Sequence, residues 1–207
     1  MKFEMTNDLV ANRKEEIINA CEKLYESSGF NEISISSIGD ETTFSRTSIY
    51  NYFHTKEEIF LALLKREYDK WIEDLNKIYE ENEKMSKEDF AKKLALSIEK
   101  RKKMLKLVSM NMYEIEENSR LEELVEFKKT YGLAVEFVRK CIDKFFTDME
   151  EKDKNNFMAL LFPFMYGIYP YTEATDKQIE AMKIANILTK PMSIYEITYV
   201  EVLKLLK

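Results

Sequence analysis

The apolar residues between Ile59 and Tyr79 keep one unbroken helical spacing, and no other sequence feature limits the possible folds of this chain as strongly. Positions that recur every three or four residues lie on one face of an α-helix. Those positions are Ile59, Phe60, Leu63, Leu64, Tyr68, Trp71, Ile72, Leu75, Ile78 and Tyr79. The pattern predicts a helix from about Lys56 to Glu80. At ~1.5 Å per residue this helix is roughly 37 Å long, which is enough to bridge two domains.

The rest of the chain also favours helices. Only four glycines and three prolines occur in 207 residues, whereas turn-rich β folds need many more of both. Helical apolar spacing and capping residues predict further helices, and no strand pattern or internal repeat competes with them. These helices cover residues 13–28, Met104 to Ile115, residues 176–189, and segments opened by Ser86, Ser119, Asp153 and Ser193. The predicted fold class is therefore all-α.

The first sixty residues have the spacing of a helix-turn-helix. The helix over residues 13–28 is expected to end at Gly29, and Ser34 is placed to cap a short second helix. The stretch Thr42-Thr43-Phe44 is typical of a turn, and Ser45 is placed to cap a third helix. Three short helices, with a tight turn between the last two, form a helix-turn-helix unit.

The net charge argues against a nucleic-acid partner, but the distribution of charge does not. The chain has a formal net charge of −6, and residues 1–60 alone hold six Lys/Arg against eleven Asp/Glu, a net of −5. The segment from Phe44 to Lys56 nevertheless contains Arg46, His54 and Lys56 and not one acid. The predicted third helix therefore keeps a local positive surface on an acidic body, as nucleic-acid binding requires.

Residues 30–59, FNEISISSIGDETTFSRTSIYNYFHTKEEI, resemble the N-terminal signature of the tetracycline-repressor (TetR) family of one-component regulators. The resemblance rests on Ser34-Ile35-x-x-Ile38, Phe44-Ser45, Ser48-Ile49-Tyr50-x-Tyr52-Phe53 and Lys56-Glu57-x-Ile59. It implies a helix-turn-helix DNA-binding domain over residues 1–56, followed by a C-terminal helical domain for effector binding and dimerisation over residues 57–207.

Four positions depart from the family pattern. Gly39 and Thr42 stand where the family usually has Ala, Thr43 stands where Gly is common in the turn, and Thr47 replaces a frequent Gly or Ala. A turn residue other than glycine can require an unfavourable φ. We therefore expect the turn at Thr43 to be slightly altered.

Side chains on and around the third helix suit contacts with duplex DNA. Short hydrogen-bonding groups can approach base edges in the major groove, where Arg46 can bind guanine in a bidentate manner. Tyrosine, histidine and lysine suit phosphate oxygens, as does Ser34 at the positive N-terminus of its helix. The predicted DNA contacts are Ser34, Ser36, Ser45, Arg46, Thr47, Ser48, Tyr50, Asn51, Tyr52, His54 and Lys56. Simpler roles stay open: Tyr50 as a core residue, Ser34 and Ser45 as caps only, and His54 and Arg46 as solvated surface residues.

Methionines and aromatic residues are abundant in the C-terminal part, where the resemblance implies a pocket for a small-molecule effector. Methionine adapts to irregular cavities, and tyrosine adds a polar tip to an apolar wall. The predicted lining residues are Trp71, Leu75, Met104, Met110, Tyr113, Phe127, Tyr131, Phe162, Met165 and Tyr166. For any one of these residues, an ordinary place in the core is the simpler interpretation.

The resemblance also implies a homodimer formed through the last helices. The segments Phe157–Tyr169 and Ile194–Leu205 have enough apolar surface for a four-helix contact. An effector is expected to press on the helix from Lys56 to Glu80 and so to change the separation of two recognition helices. The expected function is a ligand-responsive transcription regulator, a repressor that a small apolar or aromatic effector releases from a palindromic operator.

Other classes of function fit the sequence less well. A single histidine excludes the paired Glu-x-x-His motifs of a di-iron bundle. Because no phosphate-binding glycine loop or zinc-ligand set occurs, no catalytic residue, cofactor or metal is predicted. A helical adaptor that has lost DNA binding is the alternative, and the acidic N-terminal residues support it. With no export signal or spanning segment evident, Cys21 and Cys141 are expected to be small buried hydrophobes in a cytoplasmic protein without membrane contacts.

Overall fold

The computed structural model describes residues 2–187 and 192–207, with side chains from Asp8 onward, and every regular element within these residues is helical. The predicted all-α class is therefore confirmed. A short 3-10 turn, Phe30–Glu32, follows the first helix. The α-helices are α1 (Lys2–Ser27), α2 (Ile35–Asp40), α3 (Arg46–Ile49), α4 (Lys56–Glu80), α5 (Lys87–Glu99), α6 (Lys102–Met110), α7 (Met112–Glu117), α8 (Leu121–Phe145), α9 (Glu151–Thr172), α10 (Asp176–Ile184) and α11 (Ile194–Leu205).

Serine caps determine where α2, α5 and α11 begin, as predicted. In each case the serine hydroxyl accepts a hydrogen bond from the backbone N–H three residues later, at 3.1 Å for Ser34, 3.0 Å for Ser86 and 3.1 Å for Ser193. Each bond satisfies a donor that the helix leaves unpaired at its N-terminus. Ser45 also precedes its helix, but its hydroxyl lies 3.0 Å from that of Ser48 and makes no capping bond.

The structure corrects the predicted helix from Met104 to Ile115. This segment forms two helices, because α6 ends at Met110 and Asn111 leaves helical geometry with φ −136° and ψ 0° before α7 begins. Asparagine favours such breaks since its side chain competes for backbone partners. The prediction that Ser119 caps the next helix is also wrong. Its hydroxyl donates to the carbonyl oxygen of Ile115 at 2.7 Å and so belongs to the end of α7.

Two further helix boundaries differ from the prediction. Helix α9 begins at Glu151 with Glu150 as its N-cap residue, so Asp153 lies in the first turn instead of capping it. A carboxylate there still favours the helix, because the N-terminal end of a helix is positive. Helix α10 ends at Ile184, earlier than the predicted residue 189, and residues 188 and 189 lie outside the described part.

The chain divides into two compact units, of which the first comprises Met1–Arg66 and Asn111–Lys129. In its core the ring centroid of Phe60 lies 5.2 Å from that of Tyr25 and 4.6 Å from that of Phe30. Ile38 of α2 and Ile49 of α3 are fully buried. Helices as short as α2 and α3 are not stable alone, so the burial of these side chains holds them in place.

The second unit comprises Glu67–Met110 and Thr130–Lys207, and in it α11 packs mainly against α5 and also against α9. Helix α9 continues through Pro163 and buries one face, which includes Phe157, while the opposite face with Leu160 is exposed. Phe157 therefore lies in the interior of the unit, and only the opposite face is open to a partner. Within the described residues, no helix has the length and apolar character needed to cross a membrane.

Candidate functional site

Helices α2 and α3 lie close together at Gly39. A methyl group added to Gly39 would lie 3.3 Å from Cα and 3.4 Å from Cβ of Arg46, and the first distance is shorter than in nine of ten such contacts. The absence of a side chain therefore allows the backbone at Arg46 to pack directly on α2. This contact sets the position of α3 and of its exposed side chains.

The turn between α2 and α3 is held by hydrogen bonds to both of its threonines. The Thr42 hydroxyl lies 2.9 Å from the carbonyl oxygen of Gly39 and 3.0 Å from that of Phe44. The carboxylate of Glu16 on α1 accepts from the backbone N–H of Thr43 at 2.6 Å and from its hydroxyl at 2.7 Å. The bonds from Thr43 lower the pKa of Glu16. The turn is therefore fastened to the first helix.

The unfavourable φ expected at Thr43 does not occur. Among the described residues, Asn186 is the one non-glycine residue with a positive φ, and it lies after α10. A threonine can therefore replace the usual glycine here without backbone strain, because the turn does not use the left-handed region.

Most of the residues predicted to contact DNA lie on the surface of the first unit. Tyr50 is exposed, so the alternative that it packs in the core is wrong. Ser34 combines its capping bond with an exposed position, so one residue can serve both roles. The exposed residues are Ser34, Ser45, Arg46, Thr47, Tyr50, Asn51 and His54, and the half-buried ones are Ser36, Ser48, Tyr52 and Lys56.

The ammonium group of Lys56 is already engaged within its own unit. It donates to the carbonyl oxygen of Phe30 at 3.0 Å and lies 4.4 Å from the centroid of the Phe30 ring. Both contacts join the start of α4 to the 3-10 turn. In this structure Lys56 therefore supports the fold, whatever it binds in addition.

Glu58 is the buried centre of a hydrogen-bond network just after the recognition segment. Its side chain is fully buried and accepts from the backbone N–H of His54 at 2.7 Å. Arg120 donates to the same carboxylate through its backbone N–H (3.2 Å), Nε (2.6 Å) and Nη2 (3.0 Å). Burial opposes ionisation, but these hydrogen bonds outweigh it, lower the pKa of Glu58 and raise the pKa of Arg120. One carboxylate thus joins the end of the recognition segment to the start of α8.

Helix α7 is attached at both ends to the N-terminal helices. At its first end the Tyr25 hydroxyl lies 3.2 Å from the side-chain oxygen of Asn111. At its last end the Thr55 hydroxyl donates to the carbonyl oxygen of Asn118 at 3.0 Å. These bonds, with that between Glu58 and Arg120, explain why Asn111–Lys129 belongs to the same compact unit as the helix-turn-helix.

Sequence reasoning missed Glu16, Glu58 and Arg120. Thr55-x-x-Glu58 has the spacing of a capping box, and the Thr55 hydroxyl accepts from the Glu58 N–H at 3.2 Å, so this signal could have identified Glu58. No local pattern identifies Arg120 or Glu16. Arg120 lies 62 residues from Glu58, and Glu16 lies 27 residues from Thr43.

Several acids of the first sixty residues are engaged in intramolecular bonds. Glu16 binds Thr43, Glu32 accepts from the Gly29 N–H at 2.8 Å, Glu41 forms an ion pair with Lys23, and Glu58 is buried. The exposed side chains between residues 44 and 56 include those of Arg46 and His54 and no carboxylate. The acidity of the N-terminal region therefore does not extend across the exposed surface of α3.

Three of the predicted effector residues meet in an aromatic cluster of the second unit. Ring centroids are 6.1 Å apart for Trp71 and Phe162 and 5.5 Å apart for Tyr131 and Phe162. Tyr68 closes the cluster at 6.1 Å from Trp71 and 5.8 Å from Tyr131. The indole N–H of Trp71 donates to the buried Ser97 hydroxyl at 3.0 Å. The cluster thus combines edge-to-face aromatic contacts with a fixed polar group.

The other predicted effector residues are divided between interior and surface. Leu75, Met104 and Met165 are buried in the second unit, where Tyr166 is half-buried. Phe127 is buried, but in the first unit. Met110 and Tyr113 are largely exposed, so the structure does not bring them into the aromatic cluster.

An open groove of about 540 Å³ lies elsewhere on the second unit, between α5 and α11. It contains the stacked rings of Tyr195 and Tyr199 but none of the predicted effector residues. Two of its acids, Asp89 and Glu196, lie in the first turns of these helices and take part in their capping. Helix capping therefore accounts for these two acids.

A helix-turn-helix with an exposed, acid-free third helix, followed by a larger helical unit, defines the class of DNA-binding transcription regulators with a helical ligand-binding domain. Residues 17–63 match the family described as bacterial regulatory proteins, tetR family, and residues 65–191 match the tetracyclin repressor-like C-terminal domain. The chain therefore belongs to the TetR family. Members of this family regulate transcription by binding DNA.

Solved structures with a similar fold extend over nearly the whole chain. A TetR/AcrR-family transcriptional regulator from Thermobifida fusca has a TM-score of 0.62 and 18% identity, covering 94% of this chain and 96% of that one. The fatty acid degradation regulator FadR from Bacillus halodurans has a TM-score of 0.56 and 16% identity, covering 94% of each chain. FadR from Bacillus subtilis, in complex with stearoyl-CoA, has a TM-score of 0.58 and 17% identity, covering 93% and 96%. No protein of curated function matches the chain significantly.

Proposed function

We propose that this chain is a dimeric repressor that binds a palindromic operator through α3 and releases it when a small apolar or aromatic molecule binds the second unit. The exposed surface of α3 carries the proposal. Arg46 and Thr47 are exposed on α3 and Asn51 is exposed just after it, and no carboxylate occurs between residues 44 and 56. Because the turn is fastened by Glu16 and the end of the segment by Glu58, these side chains are presented in one orientation.

We assign two kinds of DNA contact to this surface. Arg46 reads a guanine through two hydrogen bonds, with Ser45, Thr47, Ser48 and Asn51 next to it at the base edges. The phosphate contacts set the register on the duplex and come from Ser34, Ser36, Tyr50, Tyr52, His54 and Lys56. The ammonium group of Lys56 binds the Phe30 carbonyl oxygen alone, or that oxygen and a phosphate together. Substitution of Lys56 therefore changes both the stability of the fold and the affinity for DNA.

A palindromic operator requires two recognition helices at a fixed separation. Half-sites lie one helical turn apart, about 34–36 Å, or a multiple of it. From Asn155 to Tyr171 the exposed residues of α9, which include Leu160 and Pro163, carry no charge and offer a surface for the contact between protomers. Leu203 of α11 and Phe164 of α9 are half-buried at the edges of this region, and their replacement by Asp is expected to give monomers that no longer bind operator.

The effector is proposed to bind next to the aromatic cluster of Tyr68, Trp71, Tyr131 and Phe162. The rings of this cluster are apolar, and the Trp71–Ser97 hydrogen bond adds a polar group, which suits an apolar or aromatic molecule with one or two polar groups. Helix α4 contributes residues to both units and is the proposed route of coupling. Since the FadR neighbour from Bacillus subtilis holds stearoyl-CoA, long-chain acyl-CoA esters are the first effectors to test.

Selection from random duplex DNA at low salt tests the DNA-binding part. The protein should enrich a palindrome, and its affinity should fall steeply as salt rises, because phosphate contacts release counterions. Arg46→Ala should cost about 1–3 kcal/mol of binding and relax specificity at one base pair. Lys84→Ala removes the same charge from an exposed site between α4 and α5 and should leave affinity unchanged. If no palindrome is enriched, the regulator proposal is wrong, and the alternative of a helical adaptor without DNA binding is favoured.

Trp71, the only tryptophan, reports on the effector part. An acyl-CoA or other apolar compound that binds should change its fluorescence and release the protein from operator DNA. Coupling of about 1–3 kcal/mol between the two ligands is typical of such regulators. Compounds that bind the second unit tightly but leave operator affinity unchanged, across a broad library, would contradict the coupling.

A further inference from the structure

Arg13 of α1 lies against the segment that leads into the recognition helix α3. The central carbon (Cζ) of its guanidinium group is 4.6 Å from the centroid of the Phe44 ring. Phe44 directly precedes Ser45, the N-cap residue of α3. The DNA contacts of the proposed function all come from residues 34–56, and α1 contributes none of them.

Two contacts, one helical turn apart on α1, hold Arg13 in this position. Glu16, three residues after Arg13, accepts two hydrogen bonds from Thr43. Arg13 covers the ring of the next residue, Phe44. Residues three apart in a helix are neighbours on its surface. The same side of α1 therefore follows the chain from Thr43 to Phe44 and brings the guanidinium group close to the start of α3.

The positive charge of Arg13 is available to a ligand. Among the residues whose side chains the structure describes, none forms an ion pair or a hydrogen bond with its guanidinium group. Lys14, the next residue, instead lies 3.9 Å from a carboxylate oxygen of Glu123. Glu16 attracts Arg13 electrostatically, but its hydrogen bonds go to Thr43.

The contact with Phe44 prepares Arg13 for an anion. A ring attracts a guanidinium group through its electrostatic field and leaves most of the five N–H donors free. The ring also restricts the side chain, so that less conformational freedom is lost when a ligand binds. Because the free N–H groups form a planar fork that matches two oxygens of a phosphate, an arginine held in this way suits phosphate binding.

Phe44 lies between residues that the proposed function assigns to DNA. It precedes Ser45, which is assigned to base edges, and its ring centroid is 6.4 Å from that of Tyr52, which is assigned to a phosphate. Arg13 therefore flanks the surface that meets the duplex. The groove that receives a recognition helix is bordered by phosphates, which place one negative charge at every ~1.7 Å of the helix axis.

We propose that Arg13 donates hydrogen bonds to a backbone phosphate of operator DNA, as a contact from α1 in addition to those from residues 34–56. This inference rests on the proposed function, because it requires DNA on the surface of α3. Phosphates are present at every sequence, so contacts to them carry no direct sequence information. Arg13 therefore adds affinity but no preference for a base.

The salt dependence of DNA binding, measured by fluorescence anisotropy, tests this contact. The probes are the palindrome that the wild type enriches and a random-sequence duplex of equal length. Arg13→Gln removes one contact per protomer, so the slope of log K against log salt should become shallower by about two for the dimer. The ratio of wild-type to variant affinity should accordingly fall on the order of tenfold between about 50 and 200 mM salt. Both probes should be affected alike, whereas Arg46→Ala should reduce the preference for the palindrome.

Two matched variants separate phosphate binding from other effects of the charge. Arg13→Lys keeps a cation over the ring and should keep the wild-type slope. Lys23→Gln removes the same charge from an exposed position on the same helix, where it pairs with Glu41. This variant should also keep the wild-type slope, because surface pairs of this kind contribute little.

The slope distinguishes a phosphate contact from a merely structural role. If Arg13 only supported Phe44, Arg13→Gln would weaken binding and leave the slope unchanged, which overturns the proposal. A variant that binds as tightly as the wild type at low salt overturns it as well. When the wild type enriches a palindrome and only the expected change of slope is missing, the Arg13 contact alone fails. A wild type that enriches no palindrome removes the proposed function and this contact with it.

Discussion

The hydrogen-bonded pair of Glu58 and Arg120 predicts unequal costs for its two single substitutions. Arg120→Ala leaves the fully buried Glu58 carboxylate without its guanidinium partner, which typically costs about 3–5 kcal/mol. Glu58→Ala leaves a guanidinium that is 38% exposed and can be solvated instead. We therefore expect the second substitution to cost less, about 1–3 kcal/mol. The double variant should cost less than the sum of the two by about 1–3 kcal/mol, because the residues share one network.

The same pair predicts the direction of a pH effect. Hydrogen bonds hold the pKa of Glu58 below its ordinary value in the folded protein. Its contribution to stability is therefore present at neutral pH and is lost as the pH falls through the lowered folded-state pKa. The difference in unfolding free energy between wild type and Glu58→Gln should accordingly shrink in acid and stay constant between neutral and mildly alkaline pH.

Urea unfolding followed by circular dichroism measures these costs, with operator binding as a second readout. Arg139→Ala is the matched control, since Arg139 pairs with the exposed carboxylates of Asp143 and Glu151. Exposed pairs contribute about 0–1 kcal/mol. If Arg120→Ala costs no more than Arg139→Ala, or if the costs of the two single variants simply add, the network does not hold the recognition segment.

Three further predictions follow from other contacts. Gly39→Ala should weaken operator binding about tenfold by displacing the backbone at Arg46. Gly132→Ala is the control: a methyl group there meets nothing within 4 Å, so it should leave binding unchanged and stabilise α8 by about 0.5–1 kcal/mol. Equal operator affinities of the two variants would contradict the close approach at Gly39. Ser97→Ala should cost about 1–3 kcal/mol in urea unfolding and shift the Trp71 emission, because it leaves a buried indole N–H without its partner; unchanged spectra would count against this bond. Burial raises the pKa of Cys21 and Cys141 to about 12. At about pH 8 both thiols should therefore react with a disulfide reagent only as fast as the protein unfolds. Fast reaction of the folded protein would refute this prediction.

The sequence alone determined the features that depend on near neighbours. Serines placed before apolar helical spacing predicted the starts of α2, α5 and α11, because a cap and its donor are only three residues apart. The scarcity of glycine and proline predicted the all-α class. The absence of acids from Phe44 to Lys56 predicted where a positive surface would lie, since the exposed side of so short a helix follows directly from its buried isoleucine.

Only the tertiary structure decided which distant groups meet. The carboxylate of Glu58 finds Arg120 62 residues away, and Glu16 reaches Thr43 across 27 residues. Such pairs depend on packing and desolvation, and no periodic pattern in the sequence predicts them. The same holds for α9, whose apolar residues surround the helix, so that packing alone determined that Phe157 faces inward and Leu160 outward. Helix α10 shows the opposite case: its caps are encoded locally, but none of its side chains is buried within the described residues.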